Sequence, residues 1–136
     1  MKKMKQQSVI ERLRASKKSS EAAEYQLGHD LGKRWAEQSA ATSELQRLDE
    51  LRDEYEAQPQ NDWDEFFEWD EPKVWGPDEY LFFAMHPEAG KDRQAAEEFW
   101  ECAAGDALQQ SLCRGVFLKG FAEGAIAVWE SVQDKL

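Results

Sequence analysis

The sequence predicts an all-α fold: a compact bundle of about five to seven unequal helices around a long, largely buried C-terminal helix. Three observations carry this. Apolar residues recur every three or four positions in almost every segment, the spacing that lines one face of a helix. No stretch alternates apolar and polar residues as a half-buried strand would. From residue 106 to about residue 133, apolar side chains surround most of a helical circumference, leaving Lys119, Glu123 and Glu130 as a narrow charged line. A helix apolar nearly all round is buried.

Val9, Ile10 and Leu13 predict a short amphipathic helix through about residue 16. "SKKSSEAAEY" reads as a break and a restart, with Ser20 as cap and Glu21 and Glu24 near the positive helix end. The restarted helix runs to about Gln38 and places Tyr25, Leu27, Leu31, Trp35 and Ala36 at apolar positions. This divides the chain into a basic arm, residues 1–18, and a single acidic helical domain, residues 19–136.

Ser43 with Gln46 fits a capping box and opens the next helix. Leu45, Leu48, Leu51 and Tyr55 form its apolar stripe, Glu50, Asp53 and Glu54 lie opposite, and Pro59 ends it. In "NDWDEFFEWDEPKVWGP", one or two turns put Trp63, Phe66 and Phe67 on one face and Asp64, Glu65 and Glu68 on the other. Pro72, Gly76 and Pro77 then interrupt the chain. "PDEYLFFAMHP" predicts a short helix from Pro77 or Asp78 that stops before Pro87. "KDRQAAEEFWECAAGD" predicts another, ending near Gly105. Asp106 with Gln109 again fits a capping box, opening one uninterrupted helix to about Gln133.

Two of these segments share a frame. "YQLGHDLG" and "FLKGFAEG" each carry an aromatic, a glycine three residues on and a second glycine four beyond that. Gly28, Gly32, Ala36 and Ser39 make one small-residue stripe; Cys113, Gly120, Gly124, Ala127 and Ser131 make a second. An interior glycine costs a helix about 1 kcal/mol relative to alanine. Close helix–helix approach offsets that cost, so Gly28, Gly32, Gly120 and Gly124 are read as packing residues. The first expectation is that the stripes meet within one subunit, the alternative that they join a homodimer.

The chain of 136 residues is long enough for one domain with a real core. No apolar run is long enough to span a bilayer, and the start lacks the apolar segment of a secretory signal, so the expected setting is the cytoplasm. Cys102 and Cys113 lie among apolar residues and read as buried, reduced thiols. The net charge is −11 and uneven: residues 1–20 hold seven Lys/Arg against one acid, and the remainder holds ten against 27. The acidic body repels nucleic-acid phosphates and attracts basic proteins. Direct nucleic-acid contact is confined to the basic arm, which lacks the interleaved aromatics of a specific reader.

No reaction is written in the sequence. There is no phosphate-cradling glycine loop, no nucleophile paired with a base and no Cys/His metal spacing. His29 is followed by Asp30, but a metal would need further ligands and His86 is the only other histidine, so neither metal nor cofactor is expected. Glu50, Asp53 and Glu54 on one helix, with Glu97, Glu98 and Glu101 on another, have the carboxylate spacing of all-α nucleotide pyrophosphohydrolases. Nothing basic is patterned beside them to receive phosphates.

Residues 49–72 stand furthest from an ordinary surface. They hold 11 acids against Arg52 alone, together with Tyr55, Trp63, Phe66, Phe67 and Trp69. Either these aromatics pack on the long C-terminal helix, making the segment an acidic, aromatic-anchored connector, or some stay exposed as anchors of an acidic binding face formed by Glu50, Asp53, Glu54, Trp63, Asp64, Glu65, Phe66, Glu68 and Trp69. Acids one helical turn apart are too sparse on one helix to copy the charge spacing of duplex DNA, about 1.7 Å, although several such helices side by side approach it. The reading is a non-catalytic module that binds a basic protein, such as a nuclease, and regulates or inhibits it. Inhibitors of defence nucleases and antitoxins share this profile of size and charge.

Overall fold

Helix α1 (Lys2–Gln38) runs unbroken for 37 residues, where the sequence predicts two helices. The computed structural model describes residues 2–58, 63–67 and 75–136, the first six of these by backbone alone. Residues 8–20 contain neither glycine nor proline. Their serines cost only tenths of a kcal/mol each in a helix interior. A break at Ser20 would cost more, because it gives up hydrogen bonds and requires a second nucleation. The C-terminal half of α1 is anchored on the body, and the helix propagates outward from it.

Ser39 and Ala40 donate to the Trp35 carbonyl, closing α1. Helix α2 (Thr42–Ala57) starts one residue before the expected Ser43 cap. Ala41 has no side-chain oxygen to offer; instead Glu44 Oε1 accepts the Ala41 N–H at 2.8 Å. Helix α3 (Trp63–Phe67) is a short amphipathic piece with Trp63, Phe66 and Phe67 buried. Helix α4 (Pro77–Met85) begins at proline, and Glu79 Oε1 accepts the Gly76 N–H at 3.1 Å. A 3-10 turn, Pro87–Ala89, leads to α5 (Arg93–Ala104). Asp92 caps α5 by accepting from Gln94 and Ala95, and Gly105 takes up a positive φ of 59° after its last turn.

The C-terminal segment is not one helix. It divides into α6 (Ala107–Gln110) and α7 (Arg114–Val132), and a 3-10 turn, Gln133–Lys135, ends the chain. The Glu24 carboxylate of α1 makes the division. It accepts the N–H groups of Leu112 at 2.9 Å and Cys113 at 2.8 Å, and the Ser111 hydroxyl at 2.8 Å. One anion thus satisfies donors at the start of α7, where the helix dipole favours negative charge.

Among the described residues there are seven α-helices and no strand. Helix α7 lies at the centre, with Phe117, Leu118, Phe121, Ala122 and Ala125 fully buried. Leu48, Leu81, Met85 and Trp100 pack around it from α2, α4 and α5. Trp100 satisfies its buried Nε1–H on the Asp78 carbonyl at 2.8 Å. The most extensive interface joins α1 and α7. There a Cβ on Gly28 or Gly32 would strike the Phe117 or Phe121 carbonyl, and a Cβ on Gly120 or Gly124 would strike the Tyr25 or His29 carbonyl. The two glycine stripes interlock inside one chain. They leave no glycine surface for a second copy, which removes the alternative of a homodimer joined through them.

Two further expectations change. Cys113 precedes α7 and is not part of its stripe, and Ala127 is exposed. Both cysteines are free, but Cys102 is exposed and Cys113 only half-buried. Helix α5 is amphipathic: it buries Ala96, Trp100 and Ala104, and Cys102 points away from that face.

Candidate binding surface

Helix α2 presents Glu50, Asp53 and Glu54 to solvent because its other side buries Leu45 and Leu48 against the core. Arg52 fixes how α2 sits on α7. Its guanidinium bonds Glu130 at 2.8 Å and Asp49 at 3.0 Å, with Asp53 at 3.6 Å. Burial works against the charge on Arg52, but Glu130 and Asp49 outweigh it and raise its pKa above the ordinary value. Burial pushes the Asp49 carboxyl up, against the pull of Arg52.

Beside α2, the rings of α3 form a packed cluster. Tyr55 meets Phe66 edge-on at 5.2 Å, Trp63 stacks on Phe66 at 6.0 Å, and Phe67 meets Phe66 edge-on at 4.8 Å. Gly115 near the start of α7 makes this possible: a Cβ there would strike the Phe67 carbonyl. Asp64 pairs with Lys119 of α7, and Glu65 is exposed.

This arrangement corrects the expected role of two anchors. Trp63 and Phe66 belong to the core, so they hold the acidic face from beneath and are not offered to a partner. Of the remaining expected residues, Glu50, Asp53, Glu54 and Glu65 are exposed and Asp64 is half-exposed. Glu68 and Trp69 lie outside the described residues. Exposed acids on α2 and α3 thus flank a packed cluster of aromatic rings.

A second polar cluster has no signal in the sequence. His86 Nε2 lies 2.7 Å from Glu44 Oε2, and its Nδ1 lies 3.3 Å from Glu88 Oε1. Arg47 bonds the Met85 carbonyl at 2.8 Å and Glu88 at 2.9 Å. The ring of His86 stacks on Phe82 at 4.9 Å. Both ring nitrogens face carboxylates. The cluster latches α2 to the end of α4.

A groove of about 340 Å³ lies between the C-terminal ends of α1 and α5, lined by Trp35, Arg34, Glu101 and Cys102 among others. Its charged groups are one arginine and one glutamate, Arg34 and Glu101. Among the described residues, no three His, Cys, Asp or Glu side chains converge as a metal site would require. Nor is any helix among them long and apolar enough to cross a membrane. Comparison with protein families, curated proteins and solved structures returned no match.

Proposed function

We propose that this protein is a non-catalytic binding module whose acidic face, built on α2 and α3, engages a basic protein and regulates or inhibits it. What supports this reading is that Glu50, Glu54 and Glu65 are all exposed on two helices, α2 and α3, whose Tyr55, Trp63 and Phe66 rings pack against one another. A fixed set of like charges steers a positively charged partner, and a packed base lowers the ordering cost of the contact. Proteins that handle nucleic acid carry the complementary basic surfaces, so a nuclease or similar enzyme is the partner class.

The test is capture from a lysate at low salt, with a variant carrying Glu50→Lys, Glu54→Lys and Glu65→Lys beside the wild type. The wild type should hold a basic protein that salt releases and that the variant fails to retain. Identical captures by both chains would refute the proposal.

A further inference from the structure

Helix α1 extends beyond the body it packs on. Every residue from 8 to 20 is exposed. Residues 8–20 are carried as helix by propagation from the half anchored on the body, so their exposed side is left open to packing. The exposed side carries a pattern that the body does not use. Val9, Leu13, Ser16, Ser20, Ala23 and Leu27 succeed one another at spacings of four, three, four, three and four, the repeat of a coiled-coil seam. All six are exposed, including the large ones: Val9 is 44 %, Leu13 56 % and Leu27 46 % open to solvent. The body sits on a different side, through Gly28, Gly32 and Trp35.

The geometry points to a second copy of this chain as the occupant, paired antiparallel along α1. The seam complements itself in that direction and in one register. Val9 faces Leu27 of the second copy, Leu13 faces Ala23, and Ser16 faces Ser20. Apolar pairs thus close both ends, and small hydroxyl residues meet at the centre. Polar residues inside a seam select register at some cost in stability, because any slip sets a hydroxyl against a leucine. Charge selects the same direction. The outer half of the seam carries Arg12, Arg14, Lys17 and Lys18 against Glu11, and the inner half carries Glu21 and Glu24. Antiparallel pairing brings Arg12 and Arg14 near Glu24 and Glu21 of the second copy, while Lys17 and Lys18 of the two copies meet at the centre. Parallel pairing would set the basic halves against each other. This surface is separate from the acidic face of α2 and α3, so either can fail without the other.

The full-length chain, sedimented over a wide range of concentrations, is expected to form a species of twice 15.7 kDa. Leu13→Glu and Leu27→Glu should each weaken association about tenfold or more. Both positions are exposed, so the near-UV circular dichroism of the body should not change. Register is read by crosslinking in a chain carrying Cys102→Ser and Cys113→Ser. Val9→Cys and Leu27→Cys chains, mixed, should form a disulfide with each other. Neither should do so alone, since two copies of Val9 would lie about 27 Å apart. A wild-type chain that stays monomeric at every concentration overturns the proposal, including one that instead binds duplex DNA or anionic vesicles through the arm. So does a dimer that survives Leu13→Glu combined with Leu27→Glu, or a Val9→Cys chain that crosslinks to itself.

Discussion

Glu24 and Cys113 are 89 residues apart in sequence, yet the Glu24 carboxylate accepts the Cys113 N–H at 2.8 Å and opens helix α7. The same carboxylate takes the Leu112 N–H and the Ser111 hydroxyl. Replacing it with alanine strands these donors and removes a charge from the positive end of α7. Glu24→Ala should cost about 1–2 kcal/mol of stability, within the range for loss of an N-cap. Glu24→Gln keeps an acceptor oxygen and should cost less. Urea denaturation checks both; an unchanged midpoint in Glu24→Ala would contradict the capping role.

The glycine contacts can be tested by the sign of one substitution. Helix propensity alone says that Gly120→Ala or Gly32→Ala should stabilise by about 1 kcal/mol. Packing says the opposite, since the new Cβ meets a backbone carbonyl of the facing helix, which cannot swing aside as a side chain can. Overpacking of this kind typically costs about 1–3 kcal/mol, so it should outweigh propensity. Thermal denaturation of either variant decides, and a raised melting temperature would show that α1 and α7 are not in backbone contact.

Tyr25 couples the same interface to alkaline pH. Its hydroxyl donates to Glu123 of α7, and burial, then that bond and the carboxylate's charge, push its pKa up to about 12. The folded state therefore holds the proton more tightly than the unfolded chain, whose tyrosine titrates near the ordinary value of 10.0. Stability from this group is full below the unfolded value and is lost as pH rises through the folded one. Denaturation midpoints should fall between these two values, and fall less in Tyr25→Phe. Equal pH dependence in both chains would count against the coupling.

Legibility in the sequence separates by the range of the interaction. The glycine frames are readable because an i, i+4 repeat on two helices reports a contact within each helix's own periodicity. Helix α3 is readable in the same way from Trp63, Phe66 and Phe67. The division at residues 111–113 is not, because the carboxylate that stabilises it comes from α1 and the local Asp106 pattern supports an uninterrupted helix. Ser20 misleads in the other direction: a cap residue only permits a start, and a helix already formed on the body propagates through it. The polarity of their neighbours leaves open whether Trp63 and Phe66 are buried or exposed. Their burial depends on Gly115, 48 residues beyond Phe67, which lets the α3 backbone reach α7.

Association kinetics decide whether the acidic face is the partner contact. With a captured partner in hand, its association rate with the wild type should fall steeply as salt rises, since the Debye length contracts from about 10 Å at 0.1 M to about 3 Å at 1 M. The chain carrying Glu50→Lys, Glu54→Lys and Glu65→Lys should associate about tenfold or more slowly at low salt and lose most of that salt dependence. If the two folded chains associate at the same rate at both salt concentrations, the acidic face is not the contact.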